Sequence, residues 1–244
     1  MITQTITQEE NIKEKIKNKK EYDFGIKIEE MLEKGVALGH QTAKLHPKMK
    51  DYVIGIKNTI HIIDLKKTAS CLKKALEFIS GLVKQKKTLL IIGTKPPLRN
   101  LIKETATKFN FPYITERWLG GTITNFNVIS ERLKKYRELE EKKRETEFKD
   151  LPKKERIRKE KKLEFFKKKF EGIKNLEELP ATLFICDLTK DKLALKEARQ
   201  KNIKIIAIVD TNANPSLVDY PIPANDDAVS SVKYIFEKIE EAIK

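Results

Sequence analysis

The apolar positions of this chain keep two rhythms, strand-like and helical, and one long polar interval breaks them. Met31 and Leu32 give a short helix from Ile28 that ends at Gly35, and Gly39-His40-Gln41-Thr42 reads as a turn. The run YVIGIKNTIHIID over 52–64 is two β-rich halves around Lys57-Asn58-Thr59, the pattern of a hairpin. From Asp64 to about Lys84 the spacing turns helical, with Leu65, Ala69, Leu72, Leu76 and Ile79 on one face. Thr88–Ile92 is a continuous apolar strand closed by Gly93, 98–109 is a helix entered after Pro97, and 112–115 is a third short strand. Past the polar interval come a strand at 182–186, a helix at 192–201, a strand at 204–209 and a closing helix over 227–243 with Asp227 as its N-cap.

Continuous apolar strands alternating with helices predict an α/β fold, a doubly wound parallel sheet covered on both faces. Five such strands fit the flavodoxin-like, three-layer α/β/α size. This core domain is expected over 28–126 and 179–244. Residues 1–27 read as an N-terminal extension of weak order, with Thr7 and Glu10 placed as a capping box ahead of Ile12 and Ile16.

The polar interval, residues 127–178, has its own thin periodicity. Ile129, Leu133, Tyr136 and Leu139 recur at spacings of three and four. Beyond a break at Asp150-Leu151-Pro152, Leu163, Phe166, Phe170 and Ile173 do the same. This predicts an inserted antiparallel helical hairpin with a narrow coiled-coil seam. Its remaining positions are chiefly Lys, Arg and Glu, with the basic residues in excess, so pairing along the helices cannot neutralise it.

Charge turns that arm into a functional clue. The whole chain carries 51 Lys and Arg against 36 Asp and Glu, a formal +15. Such an excess attracts polyanions while saying nothing about fold. No apolar stretch approaches the roughly 20 residues of a membrane span, and MITQTITQEENIKEK lacks an apolar signal core, so a soluble intracellular protein is expected. Cys71 and Cys186 read as buried free thiols.

Candidate chemistry is sparse. Ile92-Gly93-Thr94-Lys95 ends a strand where doubly wound sheets bind ligands. Yet neither phosphate-binding glycine spacing is present, and Pro96-Pro97 removes two N–H groups from the turn. His40, His46 and His61 lack zinc-site spacing, and no nucleophile elbow occurs. Asp210, Asp219, Asp226 and Asp227 gather near the last strand, where a pair of carboxylates is conceivable. Trp118 in Arg117-Trp118-Leu119-Gly120-Gly121-Thr122 reads as core packing, which leaves Arg117 and Asn125 for polar contact. No catalytic residue, metal or cofactor is assigned.

Read together, GHQT at 39–42, HPKM at 46–49, YVIG at 52–55, IHIIDL at 60–65, IGTK at 92–95, RWLGGTITNF at 117–126, IVDTN at 208–212 and DYPIPANDDA at 219–228 resemble the bacterial ribosomal protein S two family of the small subunit. Leu38, His46 and Pro96-Pro97 depart from its usual pattern. The resemblance implies a non-enzymatic structural constituent of the cytoplasmic ribosome that supports translation. It implies contact with 16S ribosomal RNA at the junction of head and body, alongside other small-subunit proteins, and help in docking ribosomal protein S one. The RNA contacts are expected from Lys48, Lys50, Lys95, Arg99, Arg117, Asn125, Lys134, Lys135 and Arg137, acting on phosphates and helix shape more than on base edges. Two rival readings use the same residues: a nucleotide- or sugar-phosphate-binding enzyme on the same fold, and an adaptor that grips another protein with its hairpin.

Overall fold

A computed structural model describes residues 24–144 and 152–243. The capping box at Thr7 and the break at Asp150-Leu151 lie outside them. The elements run α1 (Ile28–Glu33), β1 (Leu38–Gln41), β2 (Val53–Lys57), β3 (Ile60–Ile63), α2 (Leu65–Lys84), β4 (Leu89–Ile92), α3 (Arg99–Lys108), β5 (Tyr113–Ile114), α4 (Phe126–Arg144), α5 (Lys153–Phe170), β6 (Thr182–Ile185), α6 (Lys192–Gln200), β7 (Lys204–Val209), β8 (Tyr220–Pro223) and α7 (Val229–Ile243).

The parallel sheet orders its five strands β5–β4–β6–β7–β8. Counted from β4 as the first, this is 2-1-3-4-5, the flavodoxin-like order, and it puts the change of winding direction between β4 and β6. Registers there are regular, with Leu89 to Ile92 beside Thr182 to Ile185 and Leu183 beside Ile205. Every residue of β4 and β6 is buried, as a strand covered on both faces requires.

Three elements differ from the sequence expectation. The fifth strand is β8, hidden because its two prolines broke the expected apolar run. The 52–64 hairpin belongs to a separate antiparallel sheet of order β1–β3–β2, turning on Asn58 and Thr59 at φ +48° and +65°. Its third strand, β1, occupies the segment read as a turn. The polar residues of Gly-His-Gln and an irregular register between Leu38 and Gln41 masked it, because a bulge breaks the two-residue alternation that marks a strand.

The described residues form two compact units, one from those up to Lys84 together with those from Ile208 onward, the other from those between Gln85 and Ala207. In the first, α2 lays Leu72, Leu76 and Ile79 inward, all 0% exposed, and α7 packs against it with Ile235 and Ile239. Each such side chain stabilises the fold by roughly 1.5–3 kcal/mol. Ile26 is buried as well, and Lys27 donates its N–H to Tyr234 Oη on α7. Cys186 is buried and in no disulfide, while Cys71 is only half-buried, since it lies at the margin of the apolar face of α2. Helix α7 begins at Val229, which places Asp227 one residue ahead of the cap position expected for it.

In the second unit, α4 buries Ile129, Leu133 and Tyr136, and α5 buries Leu163, Phe166 and Phe170. Tyr136 meets Phe166 edge-on at 6.2 Å. The outward faces are charged: α5 reads KKERIRKEKKLEFFKKKF, ten basic residues against three acidic. Gly172, just past α5, lies against the carbonyl of Tyr113 so closely that a Cβ there would overlap it.

Candidate nucleic-acid interface

The segment from Trp118 to Thr124 is tied down by one carboxylate. Helix α6 buries Ala194, Leu195 and Ala198, and Glu197 sits on the same inward side, 5% exposed. Glu197 Oε1 accepts from the Trp118 indole N–H at 3.0 Å and from the Gly121 amide at 2.9 Å. Its Oε2 accepts from the amides of Ile123 and Thr124 at 3.0 and 3.2 Å, and from the Thr124 hydroxyl at 3.2 Å. Burial pushes the Glu197 carboxyl pKa up, but the bonds from Trp118, Gly121, Ile123 and Thr124 outweigh it and hold the group below its ordinary value. Gly121 adopts φ +88°, a conformation in which a side chain would be strained. Trp118 is therefore buried, as expected, and Arg117 and Asn125 stand exposed at the two ends of the loop. Helix α4 starts one residue later, at Phe126.

The expected RNA-contacting residues divide by what already holds them. Lys134 and Lys135 are exposed on α4. Lys48 and Lys50 are exposed on the 3-10 turn Pro47–Tyr52, which His46 caps by accepting the Lys48 amide on Nδ1 at 3.2 Å. Three others have partners within the chain. Lys95 Nζ is 2.9 Å from the buried Asp187 carboxylate. Arg99 pairs with Glu116 at 3.0 Å. Arg137 donates to the Lys174 carbonyl at 3.1 Å. An Arg keeps further N–H groups for a phosphate after one such bond. An ammonium paired with the buried Asp187 is the least available of the set.

At the change of winding direction the chain's own polar groups pair with one another. Thr94 Oγ1 donates to Asp191 at 2.9 Å, and Asp187 Oδ1 accepts from the amides of Thr189 and Lys190 at 2.7 and 2.9 Å. Gly93 leaves no room for a Cβ against Ile102 and Cys186. Burial pushes the Asp191 pKa up to about 6, against the bonds from Thr94. The carboxyl ends of β4 and β6, where this fold takes phosphates in other proteins, carry two carboxylates and one lysine that already neutralise one another in part.

A second polar cluster was not legible in the sequence. His40 on β1 meets Asp210, Asp226 and Asp227, and one donor atom from each lies within 4.8 Å of the others. His40 Nδ1 is 3.1 Å from Asp210 Oδ2, and Nε2 is 3.4 Å from Asp227 Oδ2. Bonding to Asp210 raises the His40 pKa above its ordinary value; burial opposes this, and Asp226 and Asp227 add to it. Of the four aspartates noted in the sequence, Asp219 is outside the group. An imidazole with three carboxylates is a donor set that suits a divalent cation, and these are the described residues that could hold one. Without a cation, a protonated His40 would offset one of the three negative charges. Only the separation of residue 40 from residues 210–227 hid them. Glu197 was hidden by the same separation from its partners, although a Glu on the apolar face of a short helix is a signal that could have found it. No described helix is long and apolar enough to cross a membrane.

A family model described as ribosomal protein S2 matches residues 31–244. Among curated relatives, the small ribosomal subunit protein uS2 of Dictyoglomus thermophilum is 45% identical over 89% of this chain and 89% of its own. Those of Dictyoglomus turgidum and Coprothermobacter proteolyticus are 45% and 42% identical, each over 89% of this chain and over 89% and 81% of their own lengths.

Proposed function

Because this chain belongs to the ribosomal protein S2 family, whose members are structural rather than enzymatic, we propose that it is a constituent of the small ribosomal subunit that grips 16S ribosomal RNA and supports translation. The carrying observation is the match over residues 31–244 on a chain of net charge +15. Phosphate contacts supply most of the affinity in this reading, because the deep, narrow major groove of A-form RNA hides its base edges from side chains. Lys48, Lys50, Arg117, Asn125, Lys134 and Lys135 are the leading contacts, being exposed. Arg99 and Arg137 join them with their remaining N–H groups. Lys95 contributes least, since Asp187 already holds it.

The reading extends to architecture and partners. Residues 28–126 and 179–244 form the α/β core, 127–178 form an inserted antiparallel coiled-coil hairpin, and 1–27 are an extension. The core lies at the junction of head and body of the subunit, in contact with neighbouring proteins, and helps to dock ribosomal protein S one. The buried seam of α4 and α5 and their charged outer faces support the hairpin as an RNA-gripping arm. Deleting about residues 132–174 tests it. Sedimentation with small subunits stripped of this protein should weaken at least tenfold on deletion. Undiminished co-sedimentation, with loss of a protein partner instead, would move the arm to the adaptor reading.

A further inference from the structure

Glu197 is a buried carboxylate whose hydrogen bonds come from neutral donors. Taking such a charge out of water costs several kcal/mol unless dipoles replace the lost hydration. Here the replacement comes from three backbone amides, an indole N–H and a hydroxyl, all within Trp118–Thr124. A loop needed only to close the fold is held by apolar packing at lower cost. This one is drawn onto a single anionic point, with Gly121 at φ +88° so that its N–H faces the carboxylate. The Asn125 amide then donates to the Gly121 carbonyl at 2.9 Å, and the Thr122 hydroxyl donates to the Leu119 carbonyl at 2.6 Å. Both ends of the loop are thereby set: Arg117 before Trp118, and Asn125 at the start of α4.

We propose that Glu197, buried and out of reach of RNA, is the positioning residue that holds the loop 117–125 and the root of α4 in the form that grips RNA, so that the contacts of Arg117 and Asn125 depend on it. The inference rests on the RNA-binding reading above and deepens it. It also accounts for the RWLGG-x-x-TN pattern in one stroke. The tryptophan, the second glycine and the threonine are donors to one acceptor, and the arginine and asparagine are what that acceptor aims.

The test uses the full chain, small subunits stripped of this protein, and Trp118, the only tryptophan of the chain, as an internal fluorophore. Glu197→Gln keeps one acceptor and turns an NH₂ toward donors, so the Trp118 emission should shift and binding should weaken by about tenfold. Arg117→Ala should also weaken binding on its own. In the Glu197→Gln background it should cost little more, because an arginine no longer aimed has little left to lose. Glu197→Ala should show the same coupling more strongly, and Glu197→Gln carries the test if the alanine variant fails to fold. Unchanged binding by Glu197→Gln, or a full, additive cost of Arg117→Ala in both backgrounds, overturns the inference while leaving RNA binding intact. A wild-type protein that does not bind the stripped subunits overturns the reading beneath it and the inference with it.

Discussion

At the scale of single residues, the second unit depends on close approaches that leave no slack. Gly172→Ala would drive a methyl group into the Tyr113 carbonyl, a backbone atom that cannot rotate away. The expected cost is about 1–3 kcal/mol, read as a lower midpoint of denaturant unfolding with an unchanged slope. Asp191 adds a pH dependence of definite sign. Its folded-state pKa, raised to about 6 by burial, stands above its ordinary 3.8. Between these values the folded protein holds a proton that the unfolded chain has released. Stability from this group therefore falls as pH rises from about 4 to 6, and the loss is complete above that window. Asp191→Asn cannot ionise. Thermal unfolding from pH 4 to 7 should show wild type losing on the order of 2 kcal/mol relative to the variant. A difference that stays flat across the window would contradict this.

At the scale of elements, α4 and α5 meet along a narrow apolar contact. The contact of α4 with α5 rests on few large side chains, Leu133, Tyr136, Leu163, Phe166 and Phe170, with charged residues around them. Leu133→Ala should cost roughly 2–5 kcal/mol at that seam. The loss should appear as faster amide hydrogen exchange in α4 and α5, with β4 and β6 still protected. Uniformly faster exchange would mean the arm does not open on its own. The helical seam was legible in the sequence because Leu133, Tyr136, Leu163, Phe166 and Phe170 keep the helical period. So was α2, whose Leu65, Ala69, Leu72, Leu76 and Ile79 are all buried as its spacing predicts. Strand β1 was not, because its partner is set by pairing with β3 across an irregular register, and local composition does not record a register. Strand β8 was hidden by its prolines, which an edge strand tolerates. The exposed lysines could be named from the sequence, but not that Asp187 had already claimed Lys95, nor that one glutamate gathers the Trp118–Thr124 loop. Both depend on residues some 70 to 90 positions away along the chain.

At the scale of the whole molecule, an excess of fifteen positive charges favours association with a polyanion. In the proposed function, ribosomal RNA supplies the opposing charge through its phosphates, and the protein acts as a structural constituent. Counterion release then controls affinity. The decisive measurement is the affinity of the purified protein for small subunits stripped of it, followed by sedimentation as salt is raised. If roughly 6–10 phosphates are engaged, affinity falls by ~10³–10⁵ between 50 and 200 mM salt. Affinity that does not change with salt, or a protein that fails to sediment with the subunits at any salt, would contradict the account.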